Sequence, residues 1–230
     1  ALLVYVSNTP GTSQAKAHIH SPAKRWPTIA WLSGFFAVFT WSAIAPKDSL
    51  IWALEVAPAV IALAVMAYTR RRFPLTTLAY ILILVHAWIL MVGGHYTYAE
   101  VPLFDTIRDV FAQTRNNYDK VGHFAQGFIP AIVTREIIIR NALVRTGFFT
   151  AFFTVSLCLA ISAFYELIEW WVALLSEQAA EAFLGTQGYV WDTQSDMGWA
   201  LFGAIIALLT LSRLHDSQIE KLADQSAIRP

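Results

Sequence analysis

Long apolar runs alternate with short polar segments along most of the chain, and their lengths predict membrane-spanning helices. A span needs ~20 residues at a rise of ~1.5 Å per residue. Six runs approach or exceed that length: residues 28–45, 50–69, 74–94, 121–140, 147–172 and 195–213. The first is the shortest, and Arg135 and Glu136 interrupt the fourth. The pattern predicts an all-α, polytopic membrane protein with about six transmembrane helices.

The composition agrees with a membrane protein. The chain is 57% hydrophobic and 14% charged, whereas a soluble domain carries about 25% charged residues. We expect a cytoplasmic tail over residues 1–25, a membrane domain over 26–214 and a second cytoplasmic tail over 215–230. The formal net charge is zero, which offers no electrostatic basis for binding nucleic acid.

The lysines and arginines predict the orientation. Twelve of the 16 fall in the N-terminus, in the C-terminus, between spans two and three, or around the junction of spans four and five. Cytoplasmic segments are enriched in these residues. We therefore expect both termini in the cytoplasm and an even number of spans.

Two segments outside the spans have helical patterns of their own. Residues 101–116 begin with Pro102, which suits a first helical turn. Their apolar side chains share one face: Leu103, Phe104, Ile107, Val110 and Phe111. This pattern predicts an interfacial amphipathic helix between spans three and four. A second short helix is expected over residues 174–184, and the two would cover the outer end of the bundle.

Eight ionisable side chains gather at or near the predicted outer ends of different spans. They are His95 and Glu100, Asp119 and His123, Glu166 and Glu169, and Asp192 and Asp196. An ionisable group inside a bilayer costs roughly 3 kcal/mol on insertion scales, so such groups indicate function by default. Carboxylates with an imidazole are also suitable ligands for a divalent cation.

The spacing within these pairs favours convergence, although each pair also has a structural explanation. Three pairs are separated by three or four residues and so share a helix face: Asp119 with His123, Glu166 with Glu169, and Asp192 with Asp196. Helix capping, the helix dipole or a solvated helix end would explain single pairs. Glu166 fits these explanations poorly, because it lies roughly 8 Å inside a span that stops near Trp171.

The remaining ionisable groups are expected to be structural. Glu55 is interpreted as an isolated acid, His86 as a packed histidine, and Arg135 with Glu136 as a local ion pair. His215 is expected to be solvated in the C-terminal tail.

The motifs resemble a known group of membrane proteins. The pattern Asp119-Lys120-x-x-His123-Phe124, then Glu166, then Asp192-x-x-x-Asp196 with Gly198 and Gly203, is similar to VanZ-like membrane proteins. The chain more closely resembles the YjdF-type bacterial inner-membrane proteins, which carry DKxGHF, YELxEW and DTQxDM blocks. The resemblance covers about residues 85–214 and implies a multi-pass protein of the bacterial inner membrane without a biochemical assignment. Glu169 stands where VanZ-like proteins usually have Gln.

Three functions are compatible with these features. The first is a metal-dependent enzyme acting on a membrane lipid or lipid-linked substrate at the outer leaflet. Its proposed divalent-metal ligands are Asp119, His123, Glu166, Asp196 and His95, and its proposed catalytic groups are Glu169 and Asp192. The second is a cation- or proton-linked transporter. The third is a non-catalytic scaffold with a structural polar network.

Overall fold

The computed structural model describes residues 26–145, 147–175 and 186–227. Within these ranges the chain forms seven α-helices, one 3-10 turn at Tyr98–Glu100 and no strand, which confirms the all-α prediction. The helices are α1 (Trp26–Ala43), α2 (Ser49–Thr69), α3 (Thr77–Tyr96), α4 (Pro102–Val110), α5 (Tyr118–Arg140), α6 (Gly147–Leu175) and α7 (Asp192–Ala227). The N-terminal tail and most of the short helix expected at 174–184 lie outside the described residues.

Four of these helices have the length and hydropathy to cross a membrane: α2, α3, α6 and α7. Neither α1 nor α5 is among them. α1 has 18 residues, but its three tryptophans, Pro27 and its Ser and Thr residues lower its hydropathy, and α5 carries charged residues in both its first and last turns. Hydropathy and length therefore do not confirm the predicted count of six spans.

Part of the amphipathic segment predicted between α3 and α5 is helical, and this part forms α4. Pro102 occupies its first turn, as expected. Leu103 and Val110 expose 66% and 72% of their surface. These apolar side chains are available to the membrane interface, although the helix ends at Val110 rather than at residue 116.

α5 is the centre of the bundle, because it packs against α3, α6 and α7. Its closest contact is with α7, where the two backbones meet without an intervening side chain. A Cβ atom added at Gly127 would overlap the carbonyl oxygen of Ala200, and one added at Gly203 would overlap that of Phe124. The two helices therefore approach closely at Gly127 and Gly203, whereas Gly198 has no neighbour within 4 Å.

Successive long helices run in opposite directions and place several helix ends together. Hydrogen bonds join Lys47 to His95, and Tyr165 to Glu55. We call this end of the bundle, where α2, α5 and α7 begin, the cluster end. The predicted ionisable pairs therefore lie on one side of the bundle.

The opposite end is held by a buried carboxylate. Glu136 is fully buried and accepts hydrogen bonds from the backbone N–H of Thr76 (2.9 Å) and from its hydroxyl (2.7 Å). It also accepts one from Arg140 (2.8 Å), and it lies 3.1 Å from His215 Nε2. Thr76 caps the N-terminus of α3, so this one carboxylate links α3, α5 and α7.

Two expectations are wrong at this end. His215 is fully buried, because α7 continues unbroken through the residues assigned to a solvated tail. Its Nδ1 lies 3.2 Å from the guanidinium of Arg135, which can only donate, so Nε2 carries the proton given to Glu136. Arg135 pairs with Asp216 at 2.6 Å rather than with Glu136.

The glycine contact between α5 and α7 leads to a stability prediction. We expect Gly127→Ala to lower the free energy of unfolding by about 1–3 kcal/mol, because the added methyl must push two backbones apart. Gly198→Ala is the matched control, and its effect should be neutral or stabilising because that glycine faces open space. The measurement is the melting temperature in detergent. Equal effects of the two substitutions would contradict the close contact.

Candidate metal centre

The first turns of α5 and α7 bring three potential ligands together. Asp119 Oδ1 lies 3.3 Å from His123 Nε2, and Asp196 Oδ2 lies 3.9 Å from the same nitrogen. One ligand atom from each residue lies within 4.8 Å of the others. This set combines two carboxylates with an imidazole, and its side chains are 14%, 6% and 4% exposed for Asp119, His123 and Asp196. These three residues are candidate ligands of one metal ion, and their side chains would move closer together when the ion binds.

The last part of α6 supplies two further carboxylates. Glu166 Oε1 lies 3.8 Å from His123 Nδ1, and Glu166, Glu169 and His123 form a second group with ligand atoms within 4.8 Å. Glu166 is only 8% exposed, and its Oε1 has no hydrogen-bond partner among the described residues. A buried carboxylate oxygen without a partner is costly unless a proton or cation satisfies it.

Gln126 fixes the ring of His123. Its side-chain oxygen lies 3.1 Å from His123 Nδ1. If the amide oxygen accepts there, Nδ1 carries the hydrogen and Nε2 presents its lone pair toward Asp119 and Asp196. Metal-binding histidines usually donate their other ring N–H in this way. The sequence analysis missed Gln126, although its position three residues after His123 on one helix is a usable signal.

Two cations lie on the α7 side of the cluster. Lys120 Nζ is 2.7 Å from Asp196 and 3.1 Å from Asp192. The guanidinium of Arg115 pairs with Asp192 and lies 3.6 Å from Asp119. Asp192 is thus occupied by two cations, and its geometry fits the role of holding Lys120 and Arg115 better than that of a catalytic base.

Negative charge exceeds positive charge at the cluster end. Glu55 and Tyr165 adjoin the cluster through a hydrogen bond of 3.0 Å. The carboxylates of the cluster itself are Glu55, Asp119, Glu166, Glu169, Asp192 and Asp196. The cations packed among them are Arg115 and Lys120, with His123 as a third when protonated. Buried like charges must be neutralised by protons or by a bound cation.

Glu55 was interpreted as an isolated acid, and that interpretation is wrong. It is 5% exposed and accepts a hydrogen bond from the hydroxyl of Tyr165, which joins α2 to α6. Tyr98 packs nearby, against the faces of Gly93 and Gly122. Burial raises the pKa of the Tyr98 phenol well above its usual value, so this group remains a neutral hydroxyl.

The structure does not bring His95 into the cluster. Its Nδ1 lies 3.1 Å from the carbonyl oxygen of Ser42, and its ring is 4.6 Å from that of Trp41. This side of α3 faces α1 rather than α5. Glu100 is half exposed and pairs with Lys47. The proposed metal role of His95 therefore has no geometric support.

A cleft of about 560 Å³ leads away from the cluster between α2, α3, α5 and α6. Its polar end contains Asp119, His123 and Glu169. Its other end reaches Phe73 and Asn141. Its volume falls in the range of small-molecule sites, roughly 300–1,000 Å³.

The helices that form this site coincide with a family signature. Residues 27–217 match a family model described as a predicted membrane protein (DUF2238). The chain belongs to the DUF2238 family of membrane proteins. It is 49% identical over 184 residues to the inner membrane protein YjdF of Escherichia coli strain K12, covering 80% of this chain and 88% of that protein. No solved structure matches the chain.

The DUF2238 match extends the resemblance that the sequence motifs indicated. The YjdF-type likeness is confirmed, and it includes the first two predicted spans as well as residues 85–214. The likeness to VanZ-like proteins stays a prediction. All the helices that supply residues to the cluster and the cleft lie mostly or entirely within the matched DUF2238 region.

The contact between Gln126 and His123 generates a prediction for this DUF2238 protein. We expect Gln126→Ala to weaken divalent-metal binding by about 10–100-fold, because the imidazole loses the partner that orients it. Gln113→Ala is the control, since Gln113 is exposed and bonds only to Asn117 among its described side-chain contacts. The measurement is metal affinity by calorimetric titration. An unchanged metal affinity in Gln126→Ala would show that Gln126 does not orient His123 for metal binding.

Proposed function

We propose that this integral membrane protein is a metal-dependent enzyme that acts on a lipid or lipid-linked substrate at the outer leaflet of the inner membrane. The observation that carries the proposal is the unpartnered oxygen of Glu166, buried next to His123. The excess of carboxylates around Glu166 supports the same conclusion. A bound cation would offset their negative charge and would also provide a partner for the Glu166 oxygen. The inner-membrane location rests on the relative that bears that description.

The donor set indicates the kind of metal. Asp119, His123 and Asp196 form the ligand group on the Nε2 side of the imidazole, and Glu166 with Glu169 forms a second group on its Nδ1 side. Carboxylates suit hard divalent cations, whereas an imidazole suits Zn²⁺ and its neighbours. A mixed set of this type favours Zn²⁺ or Mn²⁺ over Ca²⁺.

The surrounding residues have separate roles in this proposal. A divalent ion in such a site activates water or clamps a phosphate. Glu169 lines the cleft and is 9% exposed, so it is placed to take a proton from a group entering from the cleft. Lys120 and Arg115 offset charge on Asp192 and Asp196, which keeps these carboxylates in place.

Removal of the ion tests the proposal. We expect the purified protein to contain a stoichiometric divalent metal and chelator to lower its melting temperature. An ion at a hundred times its Kd stabilises the folded state by about 2.7 kcal/mol. Glu166→Gln should lose the metal and its response to chelator. Glu100→Gln removes the same charge from an exposed position and should behave like the wild type.

Other outcomes would support the alternative functions. A metal-free wild type that ignores chelator, together with a destabilised Glu166→Gln variant, would indicate a structural polar network. A weakly held cation that crosses the membrane in liposomes, with loss of flux in Glu166→Gln, would indicate a transporter.

The proposed topology has six spans, with α1 and α5 added to the four apolar helices. α5 is enclosed by α3, α6 and α7, so most of its charged groups meet protein rather than lipid. At 23 residues it is ~35 Å long, enough for a hydrocarbon core of ~30 Å. α1 has 18 residues, ~27 Å, and packs on α3.

Cysteine labelling tests whether α5 crosses the membrane. Gln113 and Asn141 are exposed at its two ends, and the native Cys158 is fully buried. We expect Gln113→Cys to react with a membrane-impermeant maleimide in spheroplasts, and Asn141→Cys to react only after permeabilisation. The wild type is the control for Cys158. Labelling of both positions from the same side would show that α5 does not span.

A further inference from the structure

The cleft beside the cluster is long and narrow. Its lining follows α5 from Asp119 to Asn141, a rise of ~33 Å over these residues. A volume of about 560 Å³ spread over that length makes a passage rather than a rounded pocket. The passage is therefore as long as the hydrocarbon core is thick, ~30 Å.

The polarity of the lining changes along this passage. At the cluster end it contains Glu55, Tyr98, Asp119, His123, Gln126, Tyr165 and Glu169. Further along, the walls are mostly apolar, with Pro58, Ala62, Val65, Ile83, Ile129 and Val133 among them, and the polar residues in that part are His86, Thr69 and Asn141. A ligand that matches this lining has one polar end and one long apolar chain.

The passage has a side that faces the bilayer. α2 packs on α3, and α6 packs on α5 and α7, so α2 and α6 form the two rims. The hydrogen bond between Tyr165 and Glu55 joins the rims at the cluster end. Beyond it, Val65 on α2 and Ile161 on α6 line the passage, yet they expose 54% and 39% of their surface. A hydrocarbon chain can enter between them without leaving the membrane.

We propose that this passage binds the chain of a polyprenyl phosphate, with the phosphate beside His123, where the proposed cation would offset the charge of the surrounding carboxylates. The choice of head group rests on the proposed metal-dependent function, whereas the choice of chain rests on length. An acyl chain of an outer-leaflet phospholipid reaches only the middle of the bilayer, ~15 Å. The passage is about twice as long, so it matches a chain that extends beyond one leaflet.

The test compares a long-chain lipid with one that differs only in chain length and with an ordinary bilayer phospholipid. The probes are a long-chain polyprenyl phosphate, geranyl phosphate with the same head and a short chain, and phosphatidylglycerol. Binding to the full-length protein in detergent is measured by native mass spectrometry. We expect the long polyprenyl phosphate to bind at least about tenfold more tightly than either of the others, because only its chain fills the passage.

Substitutions locate the chain. Ala62→Trp fills the passage from α2 and should weaken binding of the long polyprenyl phosphate by about tenfold or more. Ala64→Trp makes the same change on an exposed part of α2 outside the lining and should leave binding unchanged. Val133→Phe obstructs the passage from α5 and serves as a second variant if Ala62→Trp does not fold.

The results separate this inference from the enzyme proposal. Equal binding of phosphatidylglycerol, or normal binding by folded Ala62→Trp and Val133→Phe variants, would overturn the chain site even in a metal-loaded protein. Chain-length-dependent binding by a wild type that contains no metal and does not respond to chelator would support the chain site and contradict the metal-dependent function.

Discussion

The contact between α5 and α7 is made by backbone against backbone, and the placement of the cluster depends on it. Gly127 sits against the carbonyl of Ala200, and Gly203 sits against that of Phe124. Asp119 and His123 lie one to two turns before Gly127 on α5, and Asp196 lies one turn before Ala200 on α7. Because the axes are so close there, carboxylates on both helices reach one imidazole. A larger residue at either glycine would separate the groups that the candidate centre requires.

The two polar networks of the bundle, around Glu136 and around Glu166, contain similar residues. They differ in whether each carboxylate oxygen has a hydrogen-bond partner. Glu136 has a partner for each oxygen, from Thr76, Arg140 and His215, and this pattern is typical of a structural network. Glu166 is also buried, but one of its oxygens has no hydrogen-bond partner among the described residues. This difference favours a structural role for the network around Glu136 and a binding role for the cluster around Glu166.

Sequence patterns predicted the helices and the convergence of three ionisable pairs, because helical periodicity and apolar length are local properties. They did not predict which face of each helix meets which neighbour. His95 ends α3 as expected, but the rotation of α3 turns it to Ser42 and away from the cluster. Glu55 and His215 were missed for the same reason, since each contacts residues more than 75 positions away. Their burial follows from tertiary packing alone.

α7 is a single helix of 36 residues, ~54 Å, which is longer than a membrane is thick. It carries Asp192 and Asp196 near one end, and His215 and Asp216 far along it. A continuous helix transmits displacement along its axis, and this one bears groups of both networks. A partner or ligand that pulled on its distal turns would therefore shift the two aspartates as well. The candidate centre is thus connected through one helix to the network at the opposite end of the bundle.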